Sequence, residues 1–155
     1  MPAQKSALST WLERPEPDRV AWNNFRKAAG ALIAQIDTDL QQNLRFGYTD
    51  IDALIQLSIA DGRSMRMAAL ARAVSRSPSA MTRLVDRLES RALVARTRHS
   101  STDVSVSITA AGLELIAEAA PRIVALVDQM FWARLTPDER DALATITQKL
   151  LEEPS

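Results

Sequence analysis

The chain of 155 residues has no cysteine, a single histidine, His99, and only four glycines. Without thiols there is no disulfide framework, no thiolate nucleophile, no zinc ribbon and no cysteine redox switch. One imidazole cannot by itself furnish a structural metal site. No apolar run approaches the roughly 18 residues of a membrane span, because Arg, Asp or Glu interrupts each one. Met1 to Thr10 lacks the charged head and apolar middle of a secretory signal. These absences predict a soluble cytoplasmic protein with no metal, no cofactor and no membrane partner. Net charge is missing too: 19 Lys and Arg cancel 19 Asp and Glu, which on average argues against a polyanionic partner. What remains, 46% hydrophobic and 25% charged residues, suits a single compact domain over 1–155 and excludes collagen-like and low-complexity chains.

The apolar spacing is mostly helical. Trp22, Phe25, Ala29, Leu32, Ile33, Ile36, Leu40 and Leu44 form one stripe, predicting a long helix over 18–46, capped by Asp18 and ending near Phe46-Gly47. Thr49 and Asp52 are spaced as a capping box before Ile51, Leu54, Ile55 and Ile59, a second helix that stops at Asp61-Gly62. Met67, Leu70, Ala71 and Val74 mark a third, halted at Ser75-Arg76-Ser77. Ser77-Pro78 then supplies a cap hydroxyl and a first-turn proline for a fourth helix, whose buried stripe is Met81, Leu84, Val85 and Leu88. Val104 to Ile108 alternates apolar and polar, as a half-buried strand does, and 94–97 can pair with it as a hairpin. Thr109 caps a fifth helix with Pro121 inside its pattern, where a kink is expected at 117–121. Thr136-Pro137-Asp138-Glu139 is a capping box opening a sixth.

Two short helices, a three-residue turn and a hairpin make a helix-turn-helix with a wing, an arrangement that seats its second helix in the major groove of B-DNA. With Met81, Leu84, Val85 and Leu88 inward, the opposite face of that helix carries Ser79, Thr82, Arg83, Asp86 and Arg87. Arg can fork onto guanine or phosphate, and hydroxyls serve either. The charges are also segregated. Between Gly62 and His99 lie nine Arg (63, 66, 72, 76, 83, 87, 91, 96 and 98) against Asp86 and Glu89, a net +7, leaving −7 elsewhere. Such clustering is an electrostatic footprint for duplex DNA.

Ser77-Pro78-Ser79-Ala80-Met81-Thr82-Arg83, running on through Leu84-Val85-Asp86-Arg87-Leu88-Glu89 to Leu93-Val94-Ala95-Arg96, resembles the MarR family of bacterial transcription regulators. Ile108-Thr109-Ala110-Ala111-Gly112 is similar to that family's ending of the wing. Two positions depart from the pattern: Ala92 stands where the family usually has Gly, and Asp103 is followed by Val104 and Ser105 where a wing Arg is usual. The resemblance implies a mainly α fold, a winged helix-turn-helix lobe over 48–108 flanked by dimerisation helices at 18–46 and 109–152. It also implies a homodimer on a pseudo-palindromic operator, a ligand-relieved repressor located in the cytoplasm and on the nucleoid, and a small aromatic or phenolic effector. The DNA-contacting set on this reading is Arg66, Arg76, Ser77, Ser79, Thr82, Arg83, Asp86, Arg87, Arg96, Arg98 and His99, with Arg96, Arg98 and His99 as substitutes for the missing wing Arg. Trp22, Phe25, Arg45 and Tyr48 are the candidates for effector contact, set against a packing role for Trp22 and Phe25 on the apolar stripe.

Other readings stand beside this one. A winged-helix module that docks a protein partner without sequence-specific DNA binding would share the same fold. Catalysis is disfavoured, because His99, Ser101 and Asp103 in one polar loop cannot build a buried, oriented base. Asp86 and Glu89 are placed to pair along their helix with Arg83, Arg87 or Arg91.

Overall fold

The computed structural model describes residues 7–100 and 103–152. A short helix α1 (Ala7–Leu12) precedes the 29-residue α2 (Glu16–Leu44), then α3 (Tyr48–Ile59), strand β1 (Ser64–Arg66), α4 (Met67–Ala73) and α5 (Pro78–Ser90). Strands β2 (Val94–Arg98) and β3 (Val104–Ile108) follow, then α6 (Ala110–Met130) and α7 (Pro137–Leu151). The chain is mainly helical with a small antiparallel sheet, and its long helices α2 and α6 are in contact. Among the described residues no helix is long and apolar enough to cross a membrane.

The core sits in the central lobe. Ile36, Leu40 and Leu44 of α2 meet Ile51, Leu54 and Leu57 of α3, Leu70 of α4, the α5 stripe Met81, Leu84, Val85 and Leu88, and Val94 and Val106 of the strands. The α5 stripe is therefore buried as its spacing requires. Ser77 Oγ accepts from the Ala80 N–H at 3.3 Å, Thr109 Oγ1 from Gly112 at 3.1 Å, and Thr136 Oγ1 with Glu139 closes a reciprocal capping box. All three caps follow from local sequence. The outer helices bury much less: α7 has no buried residue, and Val20, Trp22 and Phe25 on α2 are about half exposed.

Several element boundaries and caps differ from the sequence reading. Helix α2 starts at Glu16 with Pro15 as its cap residue, so Asp18 lies inside the first turn; the Pro-Glu-Pro lead-in already holds the backbone near helical φ. Its end comes at Leu44, where Arg45 turns left-handed (φ 63°) and donates its N–H to Gln41 O at 3.2 Å. Helix α3 starts at Tyr48, and the carboxylate that reaches back is Asp50, accepting from the Gly47 N–H at 3.0 Å; Thr49 and Asp52 do not form the box. The hairpin is joined by a third strand, giving the order β1-β3-β2 with Met65 opposite Val106 and Arg96 opposite Val106. Three residues are too few to show alternation, which is why Ser64–Arg66 escapes pattern reading. Helix α6 runs through Pro121 as one element.

Candidate nucleic-acid interface

Helix α5 is presented by a tight turn. After α4, Ser75 adopts φ 52° and the Arg76 N–H bonds back to Ala71 O at 2.8 Å, reversing the chain so that Ser77 opens α5 at the surface. Ser79, Thr82, Arg83, Asp86 and Arg87 are all exposed on the face opposite the core. Ser77 Oγ and Ser79 Oγ lie 3.3 Å apart at the helix start, and Thr82 Oγ1 donates to Pro78 O at 3.0 Å.

The arginines of this lobe are not equivalent. Arg83 has no hydrogen bond or ion pair among the described residues and is free to meet an anion. Arg76 donates to Thr49 Oγ1 at 2.6 Å, which holds its guanidinium beside Arg83 and Arg87 at the rim of a shallow depression of about 220 Å³. Arg87 is paired with the buried carboxylate of Asp50. Arg96 is the most heavily engaged: it reaches Asp86 at 2.6 Å, Glu89 at 3.1 Å and the Thr82 carbonyl at 3.2 Å, all on α5. The expected pairing of Asp86 and Glu89 with Arg83, Arg87 or Arg91 is thus replaced, because β2 runs beside α5 and brings one guanidinium between both acids. Arg66 on β1 pairs with Asp103 of the wing at 2.5 Å.

At the far end of the wing Arg98 and His99 are exposed, and His99 Nε2 is 3.0 Å from Ser105 Oγ. Asp103 is committed to Arg66, so His99 and Asp103 form no catalytic pair, and Ser101 lies outside the described residues. Ala92 takes the left-handed backbone without being Gly (φ 57°); its carbonyl accepts from Thr109 Oγ1 at 2.7 Å.

The candidate effector residues are dispersed. A cleft of about 580 Å³ between α2 and the lobe is lined by Ala29, Gly30, Ile33, Ala34, Asp37, Tyr48, Thr49 and Arg76. Tyr48 is the only member of the expected quartet that lines it. Burial, and secondarily the Asp52 charge, raises the Tyr48 phenol above its ordinary value, so it stays a neutral donor. Trp22 stands seven residues, about 10 Å of helix, before the first cleft residue of α2. Phe25 lines an adjoining apolar groove of about 220 Å³ with Leu32, Phe131 and Leu143, which meets the cleft at Ala29 and Ile33, and Arg45 is an exposed cap residue. Proximity in sequence hid this axial separation. Sequence reasoning also missed the site roles of Asp50, Thr49 and Phe46, whose partners are 27 to 45 residues away.

Residues 51–101 match the model of the MarR family. Curated proteins give no sequence match. The fold is similar to AbsC, a MarR family transcriptional regulator from Streptomyces coelicolor, at 28% identity and TM-score 0.80, covering 88% of this chain and 93% of that one. It is also similar to Sco3205, a MarR family transcriptional regulator from the same organism solved in complex with DNA, at 26% identity and TM-score 0.84, covering 92% of each chain. BpsR of Bordetella bronchiseptica, whose DNA binding is regulated by 6-hydroxynicotinic acid, shares the fold at 20% identity and TM-score 0.74, over 85% of this chain and 98% of that one.

Proposed function

We propose that the chain is a MarR-type transcription regulator with a winged helix-turn-helix, a reading supported by the family-model match over 51–101 and the likeness to AbsC and Sco3205, and that it binds duplex DNA sequence-specifically as a homodimer and represses until a small ligand relieves it. The observation that carries the DNA reading is the uncompensated guanidinium of Arg83 on the exposed face of α5, flanked by the Ser77 and Ser79 hydroxyls and by Arg76. A helix start bearing hydroxyls and forked cations suits both phosphate and base edges in a major groove. Arg98 and His99 at the exposed end of β2 are the wing groups left for the flanking duplex, since Arg96 is occupied on α5.

The dimer reading rests on the outer helices. Trp22, Phe25, Ile33, Ile146, Leu150 and Leu151 are all at least 40% exposed, a run of apolar surface that a second copy would cover. The effector reading rests on the cleft, where aliphatic walls, the Tyr48 hydroxyl and the Arg76 cation suit an aromatic or phenolic anion. Arg76 belongs both to this cleft and to the depression beside α5, so an anion that holds it differently in two arrangements would change DNA affinity.

The test is a fluorescence-anisotropy titration of the protein on DNA upstream of its own gene, across a salt series. Tight binding with log Kd rising steeply with log salt is expected. Absent or salt-insensitive binding at concentrations where sedimentation shows a dimer would replace the regulator reading with a protein-docking module.

A further inference from the structure

The arginines along α5 divide into two kinds. Arg83 is unpaired, whereas Arg87, one turn on, is paired with Asp50 Oδ1. Asp50 is only 5% exposed, and its other oxygen accepts from the Gly47 N–H at 3.0 Å. At the end of the helix Arg91 lies over the Phe46 ring, 3.6 Å from its centroid, and donates to the Arg45 carbonyl at 3.2 Å. Arg45, Phe46, Gly47 and Asp50 all belong to the corner between α2 and α3. That corner is itself fastened to α2, because Asp37 Oδ1 accepts from the Tyr48 N–H at 2.7 Å. A Cβ on Gly47 would stand 3.1 Å from Asp37 Oδ1 and 3.2 Å from Gln41 Nε2, so the corner has little slack.

We propose that Arg87 and Arg91 are positioning residues that clamp α5 to the α2–α3 corner, which leaves Arg83 as the arginine by which this helix meets DNA. The proposal rests on the DNA-binding reading above. If Arg87 swung to a phosphate it would strand the Asp50 carboxylate in the core, and an uncompensated buried charge costs more than an exposed ion pair returns. Arg87 therefore keeps its partner when DNA arrives, and α5 follows α2 as a rigid extension. A displacement of α2 then reaches the DNA-facing side chains without deforming the lobe.

The experiment uses the full chain and the same upstream duplex over a salt series. Arg83→Ala is expected to weaken binding and to lower the salt slope by about 0.9, one phosphate's worth, if its contact is to the backbone. Arg87→Gln, Asp50→Asn and the double variant are expected to weaken binding by one shared factor of about tenfold, with the slope unchanged, since removing either partner already breaks the clamp. A slope lowered by Arg87→Gln, or tighter binding by Asp50→Asn through release of Arg87 to the duplex, overturns the proposal. Arg87→Gln alters a half-exposed side chain, so it carries the slope test even if Asp50→Asn fails to fold. Hydrogen exchange without DNA separates the two readings. If the wild type shows no salt-dependent binding, the DNA reading falls, while the clamp still requires faster exchange of α5 amides in Arg87→Gln. Unchanged exchange there overturns the clamp.

Discussion

Replacing Gly112 by Ala adds one methyl group at the place where the wing joins α6. Gly112 is the third residue of α6, and an added Cβ would stand 2.4 Å from the Leu93 carbonyl oxygen and 2.6 Å from Ile108 Cγ1. Neither neighbour yields easily. Leu93 O already accepts from the Thr109 N–H at 3.0 Å, and Ile108 is paired in register with Val94. Overpacking of this kind costs up to about 3 kcal/mol, and forcing Gly112 away from Thr109 Oγ1 loosens a cap worth about 1 kcal/mol. The helix propensity of Ala over Gly returns about 1 kcal/mol. The net is a loss of about 3 kcal/mol, which for a chain of this size lowers Tm by about 6–12 °C. The assay is thermal unfolding followed by circular dichroism at one fixed protein concentration, since self-association would itself shift Tm. A Tm equal to or above that of the wild type would refute the reasoning, showing that the wing can shift away from α6 at no cost.

Three further outcomes are expected. Ala92→Gly removes the left-handed strain of a residue at φ 57°, about 1–2 kcal/mol, against an unfolded-state entropy cost of about 0.4–1 kcal/mol; Tm should rise by a few degrees, and a fall would count against strain at this turn. Arg83→Ala should weaken operator binding by about 1–3 kcal/mol with the sedimentation of the protein unchanged, and wild-type affinity in that variant would show the face to be wrongly assigned. Glu139 is held below the usual glutamate range by the Thr136 backbone N–H first and its hydroxyl second. Its capping contribution is therefore present above the unfolded glutamate value and is lost as pH falls through the lowered folded value. An NMR titration of its carboxyl carbon with a midpoint at or above the ordinary value would contradict the cap.

What could be read in the sequence was what is local. The caps at Ser77, Thr109 and Thr136 act within three residues, and the α5 stripe repeats with the helix, so each could be placed from spacing alone. Contacts between elements could not. Spacing put Asp86 and Glu89 beside arginines of their own helix, but the guanidinium between them comes from Arg96 on the neighbouring strand. Arg87 looked like a twin of Arg83 because both face away from the core stripe, and only the burial of Asp50, 37 residues earlier, tells them apart. The effector candidates are placed by the fold in the same way: Trp22 and Phe25 lie toward the start of α2, whereas Tyr48 opens α3 and lines the cleft beside Gly30 and Asp37.

The three-stranded order β1-β3-β2 has a consequence for the nucleic acid as well as for the protein. Strand β1 leads directly into α4, β3 lies between β1 and β2, and β2 is tied to α5 through Arg96. The described strands of the wing, α4 and α5 are therefore stitched to one another. On the DNA-binding reading, whatever mismatch exists between these elements and a straight duplex has to be taken up by the duplex, through bending or a change of groove width. Base steps the protein never touches then enter the binding energy through their stiffness, and flexible pyrimidine–purine steps placed between two half-sites should favour one operator over another with identical contacted bases.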